Sequence, residues 1–271
     1  MLASVEVEDQ LAEYFADFTD ETGVPVVVTW GNSAAQADRL IEKSGEPADV
    51  IVTDNVAAIW RAADHGALRP IASASLDAQP DYLRDPDAYW GALDVRFHAI
   101  FHHDNTRPLV SSVQDLGEPR FAGKVCLTSS SLPPNRALIS YLAEAQGVRE
   151  AERLVRRWVR NLAHPPFLSE RELLEAVRDG TCAYGIGSWG ARGKVPGVVP
   201  LLSEPRTADI TAIGVNRHAA HAEAAQRLVD WLLRERAMRV QSAGEYVPAP
   251  VRIAGWRDEE ARLLADRAGY R

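Results

Sequence analysis

The sequence predicts an α/β protein made of two lobes. Short apolar runs alternate with segments in which apolar residues recur at helical spacing, and this alternation occurs in two successive series. The chain has 271 residues, 46% of them hydrophobic, which is enough for one large core or two smaller ones. The strand–helix order predicts that each lobe contains a mixed, mostly parallel sheet flanked by helices.

The first series begins with an amphipathic helix over residues 9–22. Its apolar residues recur at helical spacing, and Gly23 is expected to end it because glycine readily adopts the left-handed backbone conformation. The elements predicted after it are a strand over 26–30, a helix over 34–43, a strand over 50–53 and a helix over 56–65.

The second series follows a segment rich in proline and aspartate. A strand is predicted first over 97–101, and the series that follows it closes with a long amphipathic helix over 219–234. The elements predicted between these two are strands over 124–128, 181–187 and 210–215, and helices over 135–145, 149–161 and 170–179.

Charge and hydropathy exclude two classes of protein. The net charge is −8 and no basic block occurs, so we expect no nucleic-acid partner. No run reaches the length of about 18 apolar residues that spans a membrane. The first residues also lack the pattern of a signal peptide, which leaves a cytosolic location and a chain numbered after a removed leader both open.

The only two cysteines, Cys126 and Cys182, lie in predicted buried strands. They are either two buried thiols or one disulfide between neighbouring strands. A disulfide would indicate an oxidising compartment.

Hydroxyl side chains follow the predicted strand over 124–128, just before a helix that begins with proline. At the carboxyl end of such a strand, the first N–H groups of the next helix are free and carry partial positive charge. The pattern favours an anion-facing crevice to which Ser129, Ser130 and Ser131 add donors. In the alternative interpretation, one serine is only the helix N-cap and the others are solvated.

Several strings, in their order and spacing, resemble the ABC-importer substrate-binding proteins of the ferric-ion and thiamine type. The resemblance covers nearly the whole chain. The strings are ADVIVTDNVAAIWRAADHGALRPI (48–71), YWGALDVRFHAIFHH (89–103), DLGEPRFAGKVCLTSSS (115–131), LLEAVRDGTCAYGIGSWG (173–190) and ITAIGVNRHAAHAEAAQRLVDWLL (210–233).

The resemblance implies a two-lobed periplasmic-binding-protein type II fold with two hinge crossings. Residues 1–96 and 210–271 would form lobe 1, and residues 97–209 would form lobe 2. It also implies a monomer in the periplasm, or elsewhere outside the cytoplasm, that binds its solute in the cleft between the lobes and delivers it to a membrane permease.

Relatives that bind bare ferric iron carry a tyrosine pair just beyond the strand that here ends at Gly187. The matching positions are Gly190 and Ala191, after Ser188 and Trp189. Phenolates suit Fe(III) because they are hard anionic donors, so their absence argues against bare iron. The expected ligand is a small anionic solute, or Fe(III) with a synergistic anion, and no resident cofactor is expected to be required.

The resemblance also assigns ligand-binding roles to three residues nearer the N-terminus. Asp54 matches a carboxylate that can bind metal, and Asn55 matches an amide that contacts the anion; alternatively, both only cap the following helix.

Arg96 matches an arginine that faces the anion in some relatives, where a guanidinium can clamp a carboxylate or phosphate. Its alternative is a surface salt bridge to Asp94 or Asp104. Ser188 and Trp189 complete the predicted site.

Two other functions on the same fold remain as alternatives. An enzyme is not expected, because the sequence contains no G-x-S-x-G, no H-E-x-x-H and no P-loop. A ligand-sensing domain of a transcription regulator would need a helix-turn-helix segment, and the sequence shows none.

Overall fold

The chain divides into two compact units in the computed structural model, which describes residues 1–242 and 251–271. Side chains are described over these ranges apart from residues 6, 10, 133 and 236–242. The first unit comprises Met1–Val95 with Ile210–Ala249, and the second comprises Arg96–Asp209 with Pro250–Arg271.

The described helices are α1 (Glu8–Thr22), α2 (Ser33–Glu42), α3 (Val56–Asp64), α4 (Ala74–Asp77), α5 (Pro133–Gln146), α6 (Val148–Arg160), α7 (Glu170–Arg178), α8 (Ala222–Ser242) and α9 (Asp258–Ala268). The described strands are β1 (Leu2–Ser4), β2 (Thr29–Gly31), β3 (Val50–Thr53), β4 (Leu68–Arg69), β5 (Trp90–His103), β6 (Val125–Cys126), β7 (Tyr184–Ser188), β8 (Val198–Leu202), β9 (Thr207–Asn216) and β10 (Arg252–Ile253).

The first unit contains three parallel strands in the order β2–β1–β3, with β9 antiparallel to β3. Its core lies between this sheet and helices α1 and α8, where Phe18 and Trp231 pack edge to face at 5.6 Å. Gly23 ends α1 with a φ of 70°, which confirms the predicted left-handed cap.

The second unit contains β6 and β7 as a parallel pair, with β5 antiparallel to β7 and β8 antiparallel to β5. Helices α5, α6 and α9 share one core with Ile100 and Ile186. Helix α7 packs in a different core, with Phe101 and both cysteines. Since neighbouring residues of a strand point to opposite faces, the sheet is covered on both sides.

Strands β5 and β9 carry the chain from one unit to the other. Two of the three unit boundaries, at 95/96 and 209/210, fall inside these two strands, where the sequence predicted two crossings; the third, at 249/250, was not predicted. Every antiparallel pair among the described strands involves β5 or β9.

The C-terminal residues belong to the second unit, although the sequence analysis placed residues 210–271 together in lobe 1. Helix α9 buries Ala261 and Leu264 against α5 and α6, in the same core as Leu138 and Leu154. The lobe 1 assignment is therefore wrong for α9, because its apolar face completes the core of the second unit.

None of the helices described in residues 1–242 and 251–271 is long and apolar enough to cross a membrane.

Candidate functional site

Asp54 lies directly after β3 and is only 3% exposed. The Ser33 hydroxyl donates to Asp54 Oδ1, and the Asp54 N–H donates back to Ser33 Oγ at 3.0 Å. Asn55 Nδ2 donates to the same carboxylate oxygen at 2.9 Å. The carboxylate is therefore held in one orientation by neighbouring donors at the carboxyl end of the strand.

Asn55 is the N-cap of α3, as the alternative interpretation predicted. Its Oδ1 accepts the Ala58 N–H at 2.9 Å, while its backbone carbonyl accepts the Thr53 hydroxyl at 2.8 Å. The oxygen of the Asn55 side-chain amide thus accepts a hydrogen bond from the helix, and its nitrogen donates one to Asp54.

Ser33 was not predicted as a site residue from the sequence, which indicated a second helix beginning at residue 34. It is 1% exposed and follows the cap residue Asn32 at the start of α2. The sequence carried a usable signal, because Asn32 and Ser33 follow a strand just as Asp54 and Asn55 do. Polar residues that follow parallel strands of one sheet lie at the same sheet edge.

The serine loop, Ser129–Ser131 after β6, belongs to the second unit. The Ser129 N–H donates to Phe167 O at 2.8 Å, and the Ser129 and Ser131 hydroxyls share a hydrogen bond of 2.8 Å. Ser130 Oγ donates to Tyr270 O at 3.0 Å. Within this described loop, the hydroxyls of Ser129 and Ser131 are therefore bonded to each other, whereas the hydroxyl of Ser130 is bonded to the backbone of Tyr270.

The free N–H groups predicted at the start of the next helix are not present. Helix α5 begins with Pro133 and Pro134, which have no N–H, and the N–H groups of Asn135 and Arg136 both donate to Leu132 O. The N-cap is Leu132, which makes no side-chain cap. Both sequence-based interpretations of this helix end are wrong, because two prolines remove the donors and no serine caps it.

Asn135 fixes the serine loop instead. Its Nδ2 donates to Thr128 Oγ1 at 2.6 Å and to Ser129 O at 2.9 Å, and Tyr270 donates its hydroxyl to Thr128 O at 2.6 Å. Burial raises the pKa of Tyr270 well above its usual value, so this phenol remains a donor.

Ser188 and Trp189 lie at the end of β7. The Ser188 N–H donates to Glu170 Oε1, and its hydroxyl donates to Glu170 Oε2 at 2.8 Å. Trp189 is half-buried, and the Arg192 guanidinium lies over its ring at 5.3 Å from the centroid. Glu170 and Arg192 were not predicted from the sequence.

The serine loop and Ser188 follow two strands that pair in parallel. Cys126 of β6 lies opposite Gly185 of β7, so the residues that follow both strands belong to the same edge of the sheet. The carboxyl ends of parallel strands are where open α/β sheets bind ligands. In the second unit, Ser129, Ser131, Ser188 and Trp189 therefore follow the carboxyl ends of this parallel pair, whereas Asp54 and Asn55 follow a strand of the first unit.

Arg96 forms a salt bridge with Asp209 at 2.8 Å, a partner that the sequence analysis did not consider. The Arg96 side chain is 16% exposed and that of Asp209 is fully buried. Among the residues that the structure describes, Asp209 Oδ1 has no hydrogen-bond partner. The positive charge of Arg96 is therefore already balanced by a buried carboxylate. The salt bridge expected at the surface, with Asp94 or Asp104, is instead a buried salt bridge with Asp209.

Cys126 and Cys182 form a disulfide with a Cα–Cα distance of 5.8 Å. Both are buried against α7. This confirms the disulfide alternative and links β6 to the residues just before β7, two strands whose ends carry the candidate site.

Comparison with known proteins gives the family. The model of the bacterial extracellular solute-binding protein family matches residues 1–243. The chain belongs to this family. This solute-binding protein is 28% identical to iron uptake protein A1 of Synechocystis sp. over 258 residues, which cover 86% of this chain and 71% of the relative.

Two solved structures share the fold of this solute-binding protein. Trichodesmium IdiA (FutA), solved in complex with iron and citrate ligands, is 26% identical with a TM-score of 0.78, and the match covers 100% of this chain and 99% of that one. A ferric binding protein from Campylobacter jejuni is 21% identical with a TM-score of 0.82 over 100% and 99% of the two chains. These matches confirm the predicted two-lobed fold class.

The described side chains of the solute-binding protein contain no group of three or more His, Cys, Asp and Glu residues that could hold a metal ion. Asp54 in the first unit and Glu170 in the second are each bonded to serine donors.

Proposed function

We propose that this chain is the solute-binding component of an ABC importer, and that its cargo is ferric iron bound together with an organic polycarboxylate such as citrate. The observation that carries the proposal is the similarity along the whole chain to a protein solved with iron and citrate. The similarity to an iron uptake protein supports the metal.

The donor set of this chain supports a chelated ion over a bare one. Fe(III) prefers several hard anionic oxygen ligands, and the described residues include no group of three or more His, Cys, Asp and Glu residues that could hold the ion. A polycarboxylate brings such oxygens with it. Asp54 would then add one protein carboxylate, and the paired hydroxyls of Ser129 and Ser131 would donate to the polycarboxylate.

The compartment and the partner follow from the same proposal. A buried disulfide fits an oxidising environment, in agreement with a periplasmic or other extracytoplasmic location. The partner is a membrane permease that receives the cargo when the solute-binding protein releases it. Binding and release require no covalent chemistry, because a ligand stabilises whichever state it binds more tightly.

Thermal unfolding with ferric citrate, metal-free citrate, phosphate and thiamine phosphate tests the proposal. A ligand at about 100 times its Kd stabilises the native state by about 2.7 kcal/mol. We expect ferric citrate to give the largest rise in the melting temperature, and Asp54→Asn to abolish most of it because the substitution removes one anionic oxygen ligand.

Asp64→Asn is the matched control, since Asp64 is an exposed carboxylate at the end of α3. It should behave like the wild type. A melting temperature that does not respond to ferric citrate would contradict the proposal, and a response to citrate alone would identify an organic anion as the cargo.

A further inference from the structure

Glu170 is a carboxylate at the candidate site that uses both hydrogen-bond donors of Ser188. One oxygen accepts the Ser188 N–H, and the other accepts the Ser188 hydroxyl at 2.8 Å. The two residues are 18 positions apart in the chain and come together because α7 packs beside β7.

The surroundings of Glu170 fix its position. It is the first residue of α7, whose N-cap Ser169 accepts the Glu172 N–H at 3.3 Å. Gly187 leaves room for it, since a Cβ at that position would lie 3.2 Å from Glu170 Oε1 and 3.3 Å from the Phe101 ring. The start of a helix also favours a negative charge.

This arrangement reverses the chemical role expected of Ser188. A hydroxyl that donates to a carboxylate has only its lone pairs left for a ligand, and the N–H of Ser188 is occupied as well. Ser188 therefore cannot donate to an anion while Glu170 holds it. The end of β7 offers acceptors and a negative charge, which suit a cation.

A described positive charge lies beside Trp189, the residue that follows Ser188. The Arg192 guanidinium lies over the Trp189 ring and donates to Trp189 O at 3.3 Å. The hydrogen bonds of Ser188 itself are with Glu170, so the carboxylate determines what Ser188 presents.

We propose that Glu170 is a specificity-determining residue that makes the second unit favour a ligand containing a metal cation over the same organic anion without metal. This inference rests on the proposed function. It adds that discrimination against free citrate comes from a carboxylate in the second unit, through its own charge and through the orientation it gives Ser188.

Isothermal titration calorimetry with ferric citrate and with metal-free citrate measures the discrimination as a ratio of two Kd values. We expect Glu170→Gln to reduce the wild-type preference for ferric citrate at least tenfold, because the carboxamide is neutral and can release Ser188 donors to the anion. Glu175→Gln, on the same helix and paired with Arg171 at 3.1 Å, should leave the ratio unchanged.

Glu170→Asp provides a second variant that keeps the carboxylate at this position, and it should retain more of the wild-type preference than Glu170→Gln does. If Glu170→Gln weakens both ligands by the same factor, or Glu170→Asp loses the preference as fully as Glu170→Gln, the role of Glu170 is only structural and the inference fails. If the wild type binds neither ligand, the proposed function fails and this inference fails with it.

Discussion

The salt bridge between Arg96 and Asp209 is the most buried charge pair of the candidate site. Asp209 is fully buried, and one of its oxygens has no partner among the described residues. Removing one member of such a pair leaves an uncompensated charge in a medium of low polarity. The pair also joins the two strands that carry the chain between the units.

We predict that Arg96→Ala lowers the free energy of unfolding by about 3 kcal/mol. The double variant Arg96→Ala/Asp209→Ala should recover part of this loss, because it removes the orphaned carboxylate. Asp104→Ala is the control, since Asp104 is exposed and pairs with His103. Urea unfolding measures the free energy of unfolding of all three variants. If Arg96→Ala is as stable as the wild type, the pair has no structural role.

His98 is a buried imidazole whose two nitrogens are both occupied. Nδ1 contacts Thr207 Oγ1 at 2.9 Å, and Nε2 contacts Pro134 O at 2.8 Å. Burial lowers the pKa of His98, and the charge of Asp209 offsets this only in part. His98 is therefore neutral at pH 7 and joins β5, β9 and the first turn of α5.

The pKa of His98 predicts a pH dependence of stability. As the pH falls below about 6.5, the unfolded chain takes up a proton on this histidine that the folded chain does not, so stability is lost. Urea unfolding between pH 7 and pH 5 should show the loss. His98→Gln should show a shallower slope, and an unchanged slope would assign the pH dependence to other groups.

Contacts between distant residues set the limit of what the sequence could predict at this scale. Asp54 and Asn55 could be identified because the family resemblance matches them to a carboxylate and an amide of relatives. The partners of Arg96 and Ser188 could not, since Asp209 is 113 residues from Arg96 and Glu170 is 18 residues from Ser188. Only packing of the folded chain brings these pairs together.

At the scale of elements, the disulfide joins β6 to the residues before β7 and encloses α5, α6 and α7 in one loop. Its cysteines are 56 residues apart. In the chain-entropy description, a cross-link closing a loop of that length stabilises the fold by about 4 kcal/mol, since it restricts the unfolded chain.

We predict that Cys126→Ala/Cys182→Ala lowers the free energy of unfolding by roughly that amount. Thiol titration of the denatured protein should find no free thiols before reduction and two after it. Two free thiols in protein purified from an oxidising compartment would contradict the pairing.

Helices with clear apolar periodicity could be predicted to within a few residues, as α1, α6 and α7 show. Strand lengths were less predictable. The strand expected over 97–101 extends from Trp90 to His103, whereas the one expected over 124–128 is only Val125–Cys126. Strand ends depend on the neighbouring strand, which the local pattern does not contain.

Helix α9 shows a second kind of limit. Its sequence is highly charged, and its few apolar residues pack against α5 and α6, which are distant in the sequence. The family resemblance placed the C-terminal region in lobe 1, and the packing of Leu264 and Tyr270 places α9 in the second unit.

At the scale of the whole molecule, each unit contributes different chemistry to the proposed function. The first unit offers the carboxylate of Asp54, and the second offers the serine hydroxyls together with Glu170. Family membership and fold could be predicted from the order of short sequence strings, whereas the cargo depends on side-chain contacts that those strings do not contain.

Equilibrium dialysis against ferric citrate, followed by assay of iron and citrate in the protein chamber, tests the central claim most directly. The account predicts that iron and citrate are retained together by the folded protein, and that Asp54→Asn reduces both in parallel. Retention of iron without citrate, or of citrate without iron, would contradict it.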